Sequence, residues 1–130
     1  MIVVDTSAFL AIVLGEPEGR QCFDALTVAD GIAISAGTLA EALIVSGRRG
    51  AAERLQTLTA NLGTEVVPVT EDMARQVADA YTRWGKGIHP ARLNFGDCFA
   101  YALAIERACP LLFIGGDFAR TDVVSALDQS

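Results

Sequence analysis

The sequence predicts an α/β fold, a three-layer α/β/α sandwich around a central parallel sheet. Short apolar runs (IVV, GIAI, EVVPV and LLFI) alternate along the chain with longer segments of helical periodicity. These runs are nearly continuous in their apolar residues, as parallel strands covered on both faces are. No linker, repeat or low-complexity stretch interrupts them, so residues 1–130 are expected to form one domain.

Ile2 to Val4 is the first strand, and Thr6 or Ser7 caps a helix running from Ala8 to about Leu14. Pro17 suits the first turn of a second helix, which extends to about Val28. Gly31 to Ile34 is the second strand. Ser35 and Thr38 are alternative caps for a helix that runs through about Arg48 and is broken at Gly50. Ala51 to about Leu62 is helical and stops at Gly63, the left-handed residue expected past a helix end. Glu65 to Val69 is the third strand. Thr70, with Glu71 and Asp72 in the first turn, opens an amphipathic helix to about Trp84. The loop GKGIHPARL follows, with the only lysine and the only histidine. A helix from Asn94 runs to about Ala108, stopped by Pro110, and Leu111 to Ile114 is the fourth strand.

Composition excludes several classes. At 130 residues and 52% hydrophobic, the chain is long enough to bury roughly two-thirds of its unfolded surface and too apolar for a disordered segment. The apolar start MIVV is cut by Asp5 without a basic lead-in, and no uncharged apolar run approaches the ~20 residues of a membrane helix, so no signal peptide or membrane contact is expected. Cys22, Cys98 and Cys109 are odd in number and form no CxxC pair, which points to reduced thiols and a cytoplasmic location. The net charge of −6 discourages a nucleic-acid partner unless bound cations offset some of the acids.

Four acids resist a plain structural account. Asp5 and Asp117 follow the first and last strands and fall on the carboxyl edge of the sheet, where ligands bind in open α/β folds. A helix cap at Asp5 and a turn residue at Asp117 are the ordinary alternatives. Glu41 lies in TLAEALIV, a helix apolar nearly all round. Asp97 lies in the first turn of the equally apolar NFGDCFAYALA, where a helix dipole tolerates an acid. Carboxylates gathered in such a setting repel one another unless a cation joins them, and an oxygen-only donor set selects Mg²⁺ or Mn²⁺. One or two such ions activate water and stabilise phosphate charge, the chemistry of phosphodiester hydrolysis. Ser7 and Thr121 are placed to steady the carboxylates through their hydroxyls, and Asp122 is either a fifth acid of the group or a surface residue.

The ordered set VVDTSA, TLAEAL, LNFGDCFAYALA and FIGGDFARTD resembles the PIN-domain ribonucleases, most closely the VapC toxins of toxin–antitoxin pairs, over nearly the whole chain. That resemblance implies a PIN-like fold, a homodimer and an Mg²⁺- or Mn²⁺-dependent endoribonuclease. Its acidic quartet falls on Asp5, Glu41, Asp97 and Asp117. It also implies a VapB-type antitoxin that covers the acidic groove and alone contacts operator DNA. Gly116 and Ile88 depart from the pattern, standing where many relatives carry Asn or Asp and a basic residue respectively. The mechanism expected has Asp5, Asp97 and Asp117 on the main cation and Glu41 on a second ion or on the attacking water.

Competing readings lack their residues. A haloacid-dehalogenase-like phosphatase needs an aspartate where Ser7 stands, and a phosphoacceptor receiver needs a late lysine after a strand, whereas Lys86 lies in a loop. His89 has no GxSxG partner, and GKG lacks P-loop spacing. A non-catalytic RNA-binding or interaction module of the same fold is the alternative from a different class. Trp84, Tyr81, Phe95, Phe99 and Tyr101 are candidates for base stacking or for core and dimer contacts, the latter favoured for Phe99. Phe9, Ile12, Val13 and Phe23 are either core or an antitoxin groove.

Overall fold

A computed structural model describes residues 1–127; residues 128–130 of the expected domain lie outside that range. Strand β1 (Ile2–Val4) is followed by helices α1 (Thr6–Val13) and α2 (Gly19–Thr27), strand β2 (Ile32–Ser35), and helices α3 (Ala36–Arg48) and α4 (Ala52–Asn61). Strand β3 (Glu65–Val67), helices α5 (Glu71–Trp84) and α6 (Phe95–Arg107), strand β4 (Leu111–Leu112) and a 3₁₀ turn over Phe118–Arg120 complete the described chain.

The strands form one sheet in the order β3-β2-β1-β4, all parallel. Val3 pairs with Ala33 on one side and with Leu111 on the other, and Ala33 in turn pairs with Glu65. Because side chains alternate along a strand, neighbouring residues serve opposite layers. Val3, Ala33 and Leu111 pack with α5 and α6 through Met73, Val77, Trp84, Leu103 and Tyr101. Val4, Ile34 and Leu112 pack with α1 to α4 through Phe9, Cys22, Leu26, Ala42 and Leu55. The α/β/α sandwich is therefore present, with β1 and β2 central and buried and the edge strand β3 partly exposed.

Local chemistry explains the element ends. Thr70 and Asn94 accept backbone N–H bonds as helix caps, and Gly63 takes φ +63° after α4. Helix α1 begins at Thr6 and not at Ala8: its cap is Asp5, the ordinary alternative for that acid, which accepts the Ser7 N–H, and not Thr6 or Ser7. Ser35 caps α3, while Thr38, the alternative, lies fully buried within that helix. Strand β4 stops at Leu112, and the Ile114 N–H is directed to the Ser7 hydroxyl instead. Among the described residues no helix is long and apolar enough to cross a membrane.

Candidate active site

The carboxyl edge of the sheet is built by three successive crossings. The backbone N–H of Asp5, just past β1, donates to the Leu112 carbonyl at 2.9 Å and so continues the sheet toward β4. Asp5 is buried, with 4% of the residue exposed. Its Oδ2 accepts from the Ser7 N–H at 3.1 Å and from the Ser7 hydroxyl at 2.7 Å. That hydroxyl in turn accepts from the Ile114 N–H at 3.0 Å, so one serine ties the end of β4 to the first acid. Asp5 Oδ1 is buried without a hydrogen-bond partner. A buried carboxylate oxygen left in this way costs free energy unless something cationic reaches it.

Glu41 is held by a residue whose contribution sequence reading did not foresee beyond capping. The Thr6 hydroxyl donates to Glu41 Oε1 at 2.9 Å and lies 3.3 Å from the Thr38 carbonyl, joining the start of α1 to α3. Gly96 closes on the same carboxylate from α6: a Cβ there would lie 2.6 Å from Glu41 Oε2. The only sequence signals were the hydroxyl directly after Asp5 and the glycine directly before Asp97.

Asp97 sits in the third helical position of α6 and forms a capping box. Its Oδ2 accepts the Asn94 N–H at 3.0 Å, and Asn94 Oδ1 accepts the Asp97 N–H at 2.8 Å. The bland account of Asp97 as a helix-start acid is therefore true, and incomplete. Burial pushes the Asp97 carboxyl up to about 7; the Asn94 N–H opposes this, while the charges of Asp5, Asp117 and Glu41 add to it. Burial likewise raises Asp5, with the Ser7 bonds opposing and the Glu41 charge adding. Asp117 is exposed at the start of the 3₁₀ turn, beyond Gly115 at φ +100°, and makes no side-chain cap bond. Four acids drawn from four separate parts of the chain thus share one electrostatic environment. No arginine or lysine pairs with any of them among the described residues.

The secondary candidates divide. Ser7 holds Asp5, as described. The Thr121 hydroxyl is turned away into its own turn, donating to the Phe118 carbonyl at 2.7 Å and accepting from the Val123 N–H at 3.3 Å. Asp122 accepts the Tyr101 hydroxyl and stands 3.8 Å from Arg83. Trp84 and Tyr101 are buried and bonded to each other at 2.9 Å, which removes both as stacking platforms, whereas Phe95 is 67% exposed. Phe9 is core, and Phe23 is partly exposed.

All-oxygen donors, an unpartnered buried oxygen and mutual charge repulsion fit a hard divalent cation. The side chains do not already stand as a closed cage: among the described residues no three acidic, histidine or cysteine side chains are grouped closely enough to hold a metal.

A parallel α/β/α sandwich with an acid-lined carboxyl edge defines a class, and the family model described as "PIN domain" matches residues 2–124. Ribonuclease VapC28 of Mycobacterium tuberculosis is 46% identical over 98% of this chain and 99% of its own length. Ribonuclease VapC36 of the same organism is 42% identical over 94% and 91%. Among solved structures, the sarcin–ricin loop cleaving toxin VapC20 of M. tuberculosis superposes with a TM-score of 0.78 at 21% identity, covering 95% of this chain and 97% of that one. The toxin–antitoxin complex VapBC-5 of M. tuberculosis gives 0.63 at 27% identity, covering 97% and 94%. The chain belongs to the VapC family of PIN-domain ribonuclease toxins.

Proposed function

We propose that this chain is the toxin of a type II toxin–antitoxin pair, an endoribonuclease that hydrolyses RNA phosphodiester bonds with Mg²⁺, or Mn²⁺ in its place. One observation carries the reading: the Asp5 carboxylate is buried with one oxygen unpartnered, inside a group of acids whose charges reinforce the upward shift of Asp97 to about 7. Asp5, Asp97 and Asp117 are the residues that would hold the ion, with Glu41 at a second ion or at the attacking water. The bound ion would supply charge stabilisation for the phosphate and a lowered pKa for water.

The chain's own residues orient this chemistry. Ser7 fixes the Asp5 carboxylate, and Thr6 engages Glu41 Oε1, leaving Oε2 free to accept a hydrogen bond from water. Water adds to phosphorus and the ribose 3′ oxygen leaves, so the products are a 5′-phosphate and a 3′-hydroxyl. The 2′-hydroxyl takes no part.

Cleavage of total RNA by the purified chain, freed of antitoxin, tests this with Mg²⁺ or Mn²⁺, with a chelator, and with Asp97→Asn alongside. Cutting that requires the ion, vanishes in Asp97→Asn and survives 2′-O-methylation at the scissile nucleotide is expected. Cutting abolished by that methylation would instead favour direct 2′-hydroxyl attack or strict recognition of that group. Binding of RNA without cutting by the metal-loaded wild type would favour a non-catalytic module.

The likeness to the VapBC-5 toxin–antitoxin complex supports an antitoxin partner of the VapB type. We place operator DNA contact with that antitoxin alone, and the pair in the cytoplasm as a one-domain toxin that forms a homodimer.

A further inference from the structure

Asp117 has a loose approach and a tight exit. On its N-terminal side stand Gly115, at φ +100°, and Gly116, where a Cβ would meet nothing within 4 Å. Glycines leave such a segment conformationally free. On its C-terminal side Phe118 is buried against Phe113 with ring centres 5.2 Å apart, and the Thr121 hydroxyl closes the turn onto the Phe118 carbonyl. Asp122 then accepts the hydroxyl of Tyr101, which lies one helical turn beyond Asp97 on α6.

That bond has a fixed direction. Trp84 Nε1 is a donor only, and it donates to the Tyr101 oxygen at 2.9 Å. The single phenolic proton is thereby sent to Asp122. Arg83 lies over the Trp84 ring at 4.5 Å and 3.8 Å from Asp122 Oδ2, so its charge balances the acceptor. Burial pushes the Tyr101 hydroxyl up to about 12, and it stays a donor at any working pH.

We propose that Tyr101 is a positioning residue: through Asp122 its hydroxyl latches the Asp117 segment onto α6, and so sets the spacing between Asp117 and Asp97. Asp122 is then a latch acceptor and not a fifth ligand. The catalytic consequence rests on the nuclease reading above; the latch itself rests on geometry alone.

Three variants of the full chain decide it: Tyr101→Phe, Asp122→Ala and Asp122→Asn. Tyr101→Phe and Asp122→Ala remove the bond, whereas the asparagine carbonyl still accepts it. Hydrogen exchange at residues 117–122 is expected to quicken in the first two and to stay near wild type in Asp122→Asn, with β1 and α3 unchanged in all three. The Mn²⁺ concentration for half-saturation, read by calorimetric titration, is expected to rise roughly ten- to hundredfold in the first two, as for other residues that orient metal ligands. Asp122→Asn should fall close to wild type.

Unchanged exchange in Tyr101→Phe would overturn the latch. So would Mn²⁺ binding lost equally in Asp122→Asn and Asp122→Ala while Tyr101→Phe binds normally, since that pattern makes Asp122 a ligand. A wild type that binds no Mn²⁺ and cuts no RNA would sink the nuclease reading, and the exchange data would still decide the latch. If Tyr101→Phe does not fold, the contrast between the two Asp122 variants carries the same decision.

Discussion

At the scale of single residues, the site stores charge against its own repulsion. The folded-state pKa of Asp97 lies above its ordinary value, so the folded protein binds a proton that the unfolded chain has already lost between about pH 4 and pH 7. Stability of the metal-free chain should therefore be greatest on the acid side of that window and fall as pH rises through it. Asp5, raised in the same direction, adds to the trend. Thermal denaturation of metal-free protein at pH 5 and pH 7.5 measures this, and a midpoint that climbs with pH would contradict it. Asp97→Asn removes the repelling charge while keeping a side-chain acceptor for the Asn94 N–H. It should stabilise the metal-free chain at pH 7.5 by about 1 kcal/mol, after discounting for the partial exposure of the group. Gly96→Ala makes a different point. Alanine is the better helix former, but its Cβ would meet the Glu41 carboxylate at 2.6 Å. Because a side-chain end is what must move, the variant should keep its melting temperature and lose cleavage. Retained cleavage would show that the placement of Glu41 is not critical.

At the scale of elements, close backbone approaches are the vulnerable places. Helix α2 meets α1 at Gly19, where a Cβ would lie 2.4 Å from the Ala11 carbonyl oxygen. Backbone cannot swing aside as a carboxylate can. Gly19→Ala should destabilise the protein by about 1–3 kcal/mol, read by urea denaturation, with Mn²⁺ affinity unchanged in the fraction that remains folded. Helices α3 and α6 meet at Gly37, onto which the Phe99 ring packs. This contact and that between Gly96 and Glu41 bring the two acid-bearing helices together. The aromatic residues sort by the same logic: Phe99 is wedged between helices, Trp84 and Tyr101 are spent inside the fold, and Phe95 is left outside.

At the scale of the whole molecule, a parallel sheet delivers the ends of β1, β2 and β4 to one edge, Asp5 and Asp117 follow β1 and β4 there, and α3 and α6 bring Glu41 and Asp97 into the same electrostatic environment. Among the described residues no arginine or lysine pairs with these four acids to neutralise the resulting field. Divalent metal should therefore raise the thermal midpoint more at pH 7.5 than at pH 5, where a proton occupies Asp97 in its place. Equal stabilisation at the two pH values would argue that the ion binds away from this edge.

Much of this was legible in the chain. The alternation of apolar strands with helices, the helix starts at Ser35 or Thr38, at Thr70 and at Asn94, the stop at Gly63, and the order of Asp5, Glu41, Asp97 and Asp117 are local patterns. Each is governed by side-chain period or by hydrogen bonds spanning a few residues. Packing governed the rest. Thr6 reaches Glu41 across 35 positions, Ser7 reaches Ile114 across 107, and Tyr101 reaches Asp122 across 21. Thr121, read as a support for the acids, closes its own turn, because a hydroxyl's nearest backbone acceptor wins unless tertiary contacts offer a better one. Which residues are acidic, and on which element each stands, follows from the chain alone. How strongly the four carboxylates feel one another, and what holds each in place, follows from the crossings of β1, α3 and α6, since burial and Coulomb energy depend on distances that no local pattern encodes.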